Sequence, residues 1–196
     1  MKLNLKKSKG FTLIELLLVV GIIALGSVVA YITYPKVSST SRANAEATNI
    51  NTITAGIKNV YAGTNNFTSL GSDGKVGVKV LARAKALPDR MTTDTTASDG
   101  IITNGFGGAV GIAAEAIGTN NNVQSYKITY PNVPNAECTK LVTGVGNNFV
   151  QVKVNNVVLR SYGDAASNVP IDPGAAAAQC GADASLDNNT LTFWGN

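Results

Sequence analysis

The chain has 196 residues, two cysteines, no histidine, and 16 Lys plus Arg against 12 Asp plus Glu. That length holds one ordinary domain rather than two large ones, and the missing histidine excludes His-based triads along with the commonest general base and metal ligand. The cationic excess does not mark a nucleic-acid surface, because Lys2, Lys6, Lys7 and Lys9 all precede Gly10 in a stretch without acids and the rest of the chain is balanced.

The basic stretch 1–10 runs into Phe11-Thr12-Leu13-Ile14-Glu15-Leu16 and an almost unbroken apolar run to Tyr34. As a helix that run would be about 36 Å long, more than the roughly 30 Å of a bilayer's hydrocarbon. A secretory signal would be shorter and would end in a small-x-small site after its apolar core. Here the cut that keeps the apolar run and discards the charges lies after Gly10, and the leader's cations hold it on the cytoplasmic side. Glu15 is the only charged side chain between Lys9 and Lys36. An ionised carboxylate facing hydrocarbon costs at least about 2.5 to 3.5 kcal/mol, so Glu15 needs a cation. Cleavage creates one, the α-amine of Phe11, one helical turn away. In a bundle of copies the same carboxylate can meet a neighbour's amine and fix axial register. Residues 16–34, apolar on all sides, are solvated equally by lipid or by other copies, and a repeated heterologous contact gives a fibre.

Beyond Tyr34 the apolar residues turn one-sided: Ala43, Ala47, Ile50, Ile53, Ile57, Val60 and Tyr61 recur at spacings of three or four, a helical stripe. The spacing predicts one helix over 11–62, stopped by Gly63 and on the order of 75 Å long. Gly21, Gly26 and Pro35 are places where it can bend or unwind. Residues 64–75 read as a loop through Gly71 and Gly74. Residues 76–87 read as a short helix ended by Pro88, with Val80, Leu81, Ala84 and Leu87 on one face, against a competing strand through Val76, Val78 and Val80. Residues 91–105, rich in Thr, Asp and Gly, read as connection. Strands are expected at 109–117, 125–130, 149–154, 157–160 and 191–194, with a turn at Asn155-Asn156, and short helices at 136–145 and 175–180. A helix followed by an antiparallel sheet with segregated helices is an α+β plan.

Cys138 and Cys180, in a chain exported to an oxidising space, read as one disulfide, worth about 3 to 4 kcal/mol on a chain-entropy estimate. Gly105-Phe106-Gly107-Gly108 lacks the Lys-Ser/Thr ending of a phosphate loop and the ordered dinucleotide pattern, and reads as turn and strand-entry glycines. Asp94, Asp99, Asp164, Asp172, Asp183 and Asp187 lack an EF-hand spacing and read as solvated loop acids. Tyr162, Phe193 and Trp194 read as core or strand packing ahead of an exposed receptor patch. No base, nucleophile and orienting group can be assembled, so no catalytic residue, cofactor or metal is expected.

Lys9-Gly10-Phe11-Thr12-Leu13-Ile14-Glu15-Leu16 ahead of an apolar helix resembles the N-terminus of type IV pilins and the related pseudopilins. Further stretches, Val60-Tyr61-Ala62-Gly63, Leu87-Pro88-Asp89, Gly105-Phe106-Gly107-Gly108, Glu137-Cys138-Thr139-Lys140-Leu141 and the late Cys180, resemble type IVb pilins of the toxin-coregulated and bundle-forming kinds. The short leader and Phe11 are IVa-like instead, and Pro35 lies a few residues later than the helix-kinking proline of IVa pilins. The resemblance implies a type IV pilin fold, α+β, with a long N-terminal helix packed on an antiparallel sheet and a disulfide-bounded C-terminal region. It divides the chain into a leader at 1–10, an apolar half-helix at 11–35 and a globular domain at 36–196. Within that domain fall the amphipathic half-helix 36–62, an αβ-loop at about 63–105, and the sheet and D-region at about 106–196.

Functionally, the resemblance implies a structural subunit cut between Gly10 and Phe11, N-methylated at Phe11, set in register by Glu15 and polymerised into an extracellular filament serving adhesion, aggregation, conjugation, DNA uptake or motility. The partners it implies are other copies of the chain, the prepilin peptidase, an assembly ATPase, a platform and an outer-membrane secretin. A single-pass stage in the inner membrane of a Gram-negative bacterium precedes assembly. The alternatives are a type II secretion pseudopilin or minor pilin and, from another class, a membrane-anchored adhesin that never polymerises.

Overall fold

The computed structural model of the chain describes residues 10–64, 66–92, 99–117, 125–161, 170–182 and 187–196, and leaves the side chains at 29, 30, 32, 35 and 36 undescribed. Two compact units emerge, one ending at Ser38 and the other Ser39–Asn196. The first helix, α1, Leu13–Val60, begins in the former and is helical throughout.

Within the second unit, α1 turns Ala43, Ile50, Ile53 and Ile57 into the core, as a stripe spaced at three and four requires. Thr48, Thr52 and Thr54 point their hydroxyls back to carbonyls four residues earlier, at 3.0, 2.8 and 2.9 Å, which satisfies polar groups on a helix of otherwise modest propensity. The stop expected at Gly63 is present: the helix ends at Val60, a short turn follows, and Gly63 adopts φ +91, a left-handed conformation that costs glycine little.

A 3-10 turn at Thr68–Leu70 buries Leu70 in the loop expected at 64–75. Next comes α2, Lys75–Arg83, shorter than expected and turned differently. Its buried positions are Gly77, Val78 and Leu81, whereas Val80 is half-buried and Ala84 lies beyond the helix and is exposed. Gly77 explains the rotation. A Cβ there would collide with the Ile112 carbonyl, so the bare backbone is the surface that approaches the sheet. The early stop is a Schellman closure, in which Ala86 N–H reaches the Leu81 carbonyl at 2.9 Å and Lys85 N–H the Ala82 carbonyl at 3.1 Å, with Lys85 at φ +52. At the helix start, Asp73 accepts from the N–H groups of Lys75 and Val76 at 3.0 and 3.1 Å. The bond from Val76, then that from Lys75, holds its carboxyl below the ordinary aspartate range.

The sheet contains β1, Ile102–Thr103; β2, Ala109–Ala114; β3, Tyr126–Val133; β4, Gln151–Val154; β5, Val157–Ser161; and β6, Asn189–Gly195, in the order β1-β2-β3-β6-β4-β5. Every pairing is antiparallel. The segment read as connection at 91–105 therefore contributes β1, a strand too short for any periodicity to reveal. The chain's last strand enters the middle of the sheet, so Phe193 faces Ile128 on one side and Val152 on the other. Asn155 and Asn156, at φ 49 and 71, make the β4–β5 turn, the left-handed pair that a tight hairpin needs.

Two helices complete the unit: α3, Asn135–Val145, and α4, Pro173–Cys180, which Asp172 caps by accepting from Ala175 N–H at 2.8 Å. A disulfide joins Cys138 on α3 to Cys180 at the end of α4, with their Cα atoms 5.8 Å apart. Helix α1 and these strands enclose one core, in which Tyr126, Tyr130, Phe149 and Phe193 are among the largest fully buried side chains.

Candidate functional site

The sequence offered two regions for function, the start of α1 and the cysteine-bearing C-terminal part. Gly10, Phe11 and Thr12 are not helical, and α1 begins at Leu13, two residues later than expected. The backbone N–H groups of Glu15 and Leu16 both close on the Thr12 carbonyl, each at 3.1 Å. Thr12 is thus the residue from which the helix departs. Thr12-x-x-Glu15 has the spacing of a capping box, but the Glu15 N–H goes to the Thr12 backbone carbonyl rather than to its hydroxyl. Gly10 has open space around its Cα, and Phe11 is 81% exposed.

Glu15 is exposed and lies in the first turn of α1. There, unpaired backbone N–H groups and the helix dipole provide partial positive charge. A carboxylate at this position is favoured before any neighbouring amine arrives, which softens the demand for a full cation. Of the expected leader, 1–10, residues 1–9 lie outside the described residues.

From Leu13 to Val37 the first unit presents apolar side chains to solvent, with Leu16, Leu17, Leu18, Ile22, Ile23 and Leu25 each more than 60% exposed. A contiguous surface of this kind exceeds the few hundred Å² that single soluble domains tolerate. Among the described residues, no helix is long and apolar enough to cross a membrane.

The second unit holds no catalytic constellation among its described residues. In a groove lined by Val60, Tyr61, Thr64, Asn66, Thr68, Ser69 and Val80 the hydroxyls are taken up locally: Tyr61 bonds Ser69 at 2.7 Å, Thr64 donates to the Tyr61 carbonyl at 3.2 Å and Thr68 donates to the Asn66 side chain. No group of three or more His, Cys, Asp or Glu among the described residues can hold a metal ion. Asp172 caps α4, and Asp187 accepts from Asn135 N–H at 2.6 Å, so neither is merely solvated. Asp94, Asp164, Asp183 and Tyr162 lie outside the described residues, while Asp99 is exposed.

Glycine run 105–108 is a turn held by the buried Asn104. That side chain accepts from Phe106 and Gly108 N–H at 3.0 and 2.8 Å and donates to the Pro131 carbonyl at 2.7 Å. Phe193 and Trp194 are buried in β6, with Lys153 Nζ lying 4.9 Å from the indole centroid.

Comparison with known proteins adds to this geometry. A family model described as PilS N terminal matches residues 40–196, and one described as the prokaryotic N-terminal methylation motif matches residues 5–31. The major structural subunit of bundle-forming pilus from Escherichia coli O111:H- is 27% identical over 190 residues, covering 91% of this chain and 90% of that one. Its counterpart from Escherichia coli O127:H6 is 27% identical over 188 residues with the same coverage. Among solved structures, a type IV b pilin from Salmonella typhi matches with TM-score 0.60 and 22% identity over 76% of this chain and 97% of that one. TcpA, a type IV pilin from Vibrio cholerae El Tor biotype, matches with TM-score 0.56 and 16% identity over 80% and 99%. These two likenesses establish the fold.

Proposed function

The chain belongs to the PilS N-terminal family and is a structural pilus subunit, and from that premise we propose that it is made as a membrane-held precursor, cut between Gly10 and Phe11, methylated on the new amine, and polymerised into a type IV pilus. One observation carries this reading. The same helix that buries its inner face from Ala43 onward exposes its described large apolar side chains before Ser38, Leu13 to Val37.

Lipid can cover that surface first and other copies of the same helix afterwards. Exchange of one apolar surrounding for another changes the free energy little, so a small electrostatic bias can decide the outcome. Removal of residues 1–10 takes away four lysines and creates an ammonium at Phe11. In the filament that ammonium meets the carboxylate of Glu15 from a neighbouring copy, fixing register, and methylation keeps its charge. The apolar sequence from Phe11 to Tyr34, in which Glu15 is the one charge, supports the inner-membrane stage. The partners are those such an export route needs: a prepilin peptidase, an assembly ATPase, a platform and a secretin. The disulfide fits an oxidising destination.

Electron microscopy of sheared surface fibres, combined with mass spectrometry of their main subunit, tests this reading. The expected subunit begins at methylated Phe11. Fibres built from chains that retain Met1 would refute it.

A further inference from the structure

Two Asn-x-Thr sequences occur in the chain, Asn66-Phe67-Thr68 and Asn188-Asn189-Thr190, the pattern of an acceptor for sugar on the asparagine amide. The fold treats them oppositely. At the second, Thr190 lies within β6 and sends its N–H to Asn155 Oδ1 at 2.9 Å, while Asn189 is buried. That triplet is bound into the sheet. At the first, Phe67 is buried, its ring 5.3 Å from those of Tyr61 and Tyr126, and this anchor leaves Asn66 and Thr68 exposed on either side.

Asn66 Oδ1 accepts both the N–H of Thr68, at 2.8 Å, and the Thr68 hydroxyl. The result is an Asx turn closed by a second donor. Both donors fall on the amide oxygen, and no bond to a described residue engages Nδ2. An amide nitrogen is a poor nucleophile because its lone pair is shared with the carbonyl. As an N–H proton leaves, negative charge builds on the oxygen, and hydrogen bonds to a charged form favour it. Thr68 therefore places two donors at the atom where charge develops, which activates Nδ2. Beside it runs a groove of about 700 Å³ whose lining, Val60, Tyr61, Thr64 and Ser69 included, carries no charge. An aromatic ring among hydroxyls suits a neutral sugar.

We propose that Asn66 is a glycosylation acceptor, taking a saccharide from an isoprenoid diphosphate donor outside the membrane, with Thr68 as its positioning residue. The inference goes beyond the reading above and needs only the exported, disulfide-bonded chain, whether or not that chain polymerises. In the step, an Nδ2 proton passes to a base of the transferase and Nδ2 bonds to the anomeric carbon of the sugar. The bond from that carbon to the diphosphate oxygen breaks, and isoprenoid diphosphate leaves with the electron pair. Thr68 forms no covalent bond.

The test is peptide mapping by mass spectrometry of the full disulfide-bonded chain recovered from the cells that make it. The peptide holding Asn66 is expected to carry hexose or N-acetylhexosamine, and the peptide holding Asn188 to carry none. Asn66→Gln and Thr68→Val are expected to lose the sugar. Thr68→Val keeps the backbone donor and removes only the hydroxyl, and Thr68→Ser, which restores a hydroxyl, is expected to regain the sugar. Disulfide content measured in each variant separates loss of sugar from loss of fold. An unmodified Asn66 in the parental chain would overturn the proposal. So would sugar mapped to Asn188 or to the hydroxyls of Thr68 or Ser69, or undiminished modification of Thr68→Val.

Discussion

The hydroxyl of Tyr130, on β3, donates to the carboxylate of Glu46, on α1, across the centre of the helix–sheet interface. Both side chains are buried, so the bond replaces water that neither can reach. Tyr130→Phe keeps the ring and removes the donor, leaving the carboxylate with one fewer partner. The expected cost is about 1 to 3 kcal/mol, read as a lower denaturation midpoint of the full chain in detergent.

Alkaline pH attacks the same interface. Burial, then the Glu46 charge, pushes the Tyr130 hydroxyl far above its ordinary value of 10.0, and burial pushes that of Tyr126 to about 12. Both groups therefore hold their protons more tightly when folded. Below about pH 10 folded and unfolded chains are equally protonated at these positions and stability does not depend on them. Above that pH the unfolded chain ionises first, so stability falls as pH rises toward 12. Tyr126 alone accounts for about 2 kcal/mol of the fall. Denaturation midpoints followed upward from neutral pH are expected to be flat and then to drop, with a shallower drop in Tyr130→Phe.

The disulfide ties α3 to α4, and the segment between its cysteines contains β4 and β5. Reduction, or replacement of both cysteines by alanine, is expected to cost about 2 to 5 kcal/mol. Hydrogen exchange localises the loss: amides of α3 and α4 exchange faster, whereas those of α1 around Ile50–Ile57, packed on β3, keep their protection. Uniform loosening would contradict this local role.

Two glycines give opposite expectations for one substitution. Gly77→Ala drives a methyl into the Ile112 carbonyl, prising α2 from β2 at a cost of about 1 to 3 kcal/mol. Gly144, inside α3, has nothing within 4 Å of its absent Cβ, so Gly144→Ala restricts the unfolded chain and stabilises by about 0.5 to 1 kcal/mol. Thermal unfolding of the two variants must move in opposite directions.

How far these features were legible in the sequence depends on their range. The stripe from Ala43 to Ile57 reports its own burial, because helical period and core face are one property. The turn at Asn155-Asn156 and the stop at Gly63 are local chemistry and were equally plain. Rotation of α2 was hidden, since Gly77 carries no hydropathy signal and its role comes from the approach of β2, far along the chain. Its Schellman stop was hidden too, because Lys85 occupies a position usually given to glycine. In the N-terminal segment Glu15 stood out as a lone charge. Thr12 did not, because its part in starting α1 is played by its backbone carbonyl, which carries no side-chain signal.

On the proposed assembly, Glu15 separates stability of the subunit from its polymerisation. It is exposed in the first turn of α1 and lies outside the unit Ser39–Asn196 that holds the disulfide and the core. Replacement by alanine or glutamine is thus expected to leave the unfolding midpoint of that unit unchanged. In the proposed filament the same side chain would be surrounded by apolar helices, where the ammonium of Phe11 would need an opposite charge within a few ångströms. Alanine offers no acceptor. Glutamine offers an oxygen without charge, so the ammonium stays uncompensated in either variant. Both are expected to accumulate as folded, cleaved subunits and to yield fewer than about one tenth of the parental fibres, the tenfold that 1.4 kcal/mol produces. Fibre yield by electron microscopy, set against subunit abundance in the same cells, provides the measurement. Full fibre yield from Glu15→Gln would show that hydrogen bonding rather than charge sets the register.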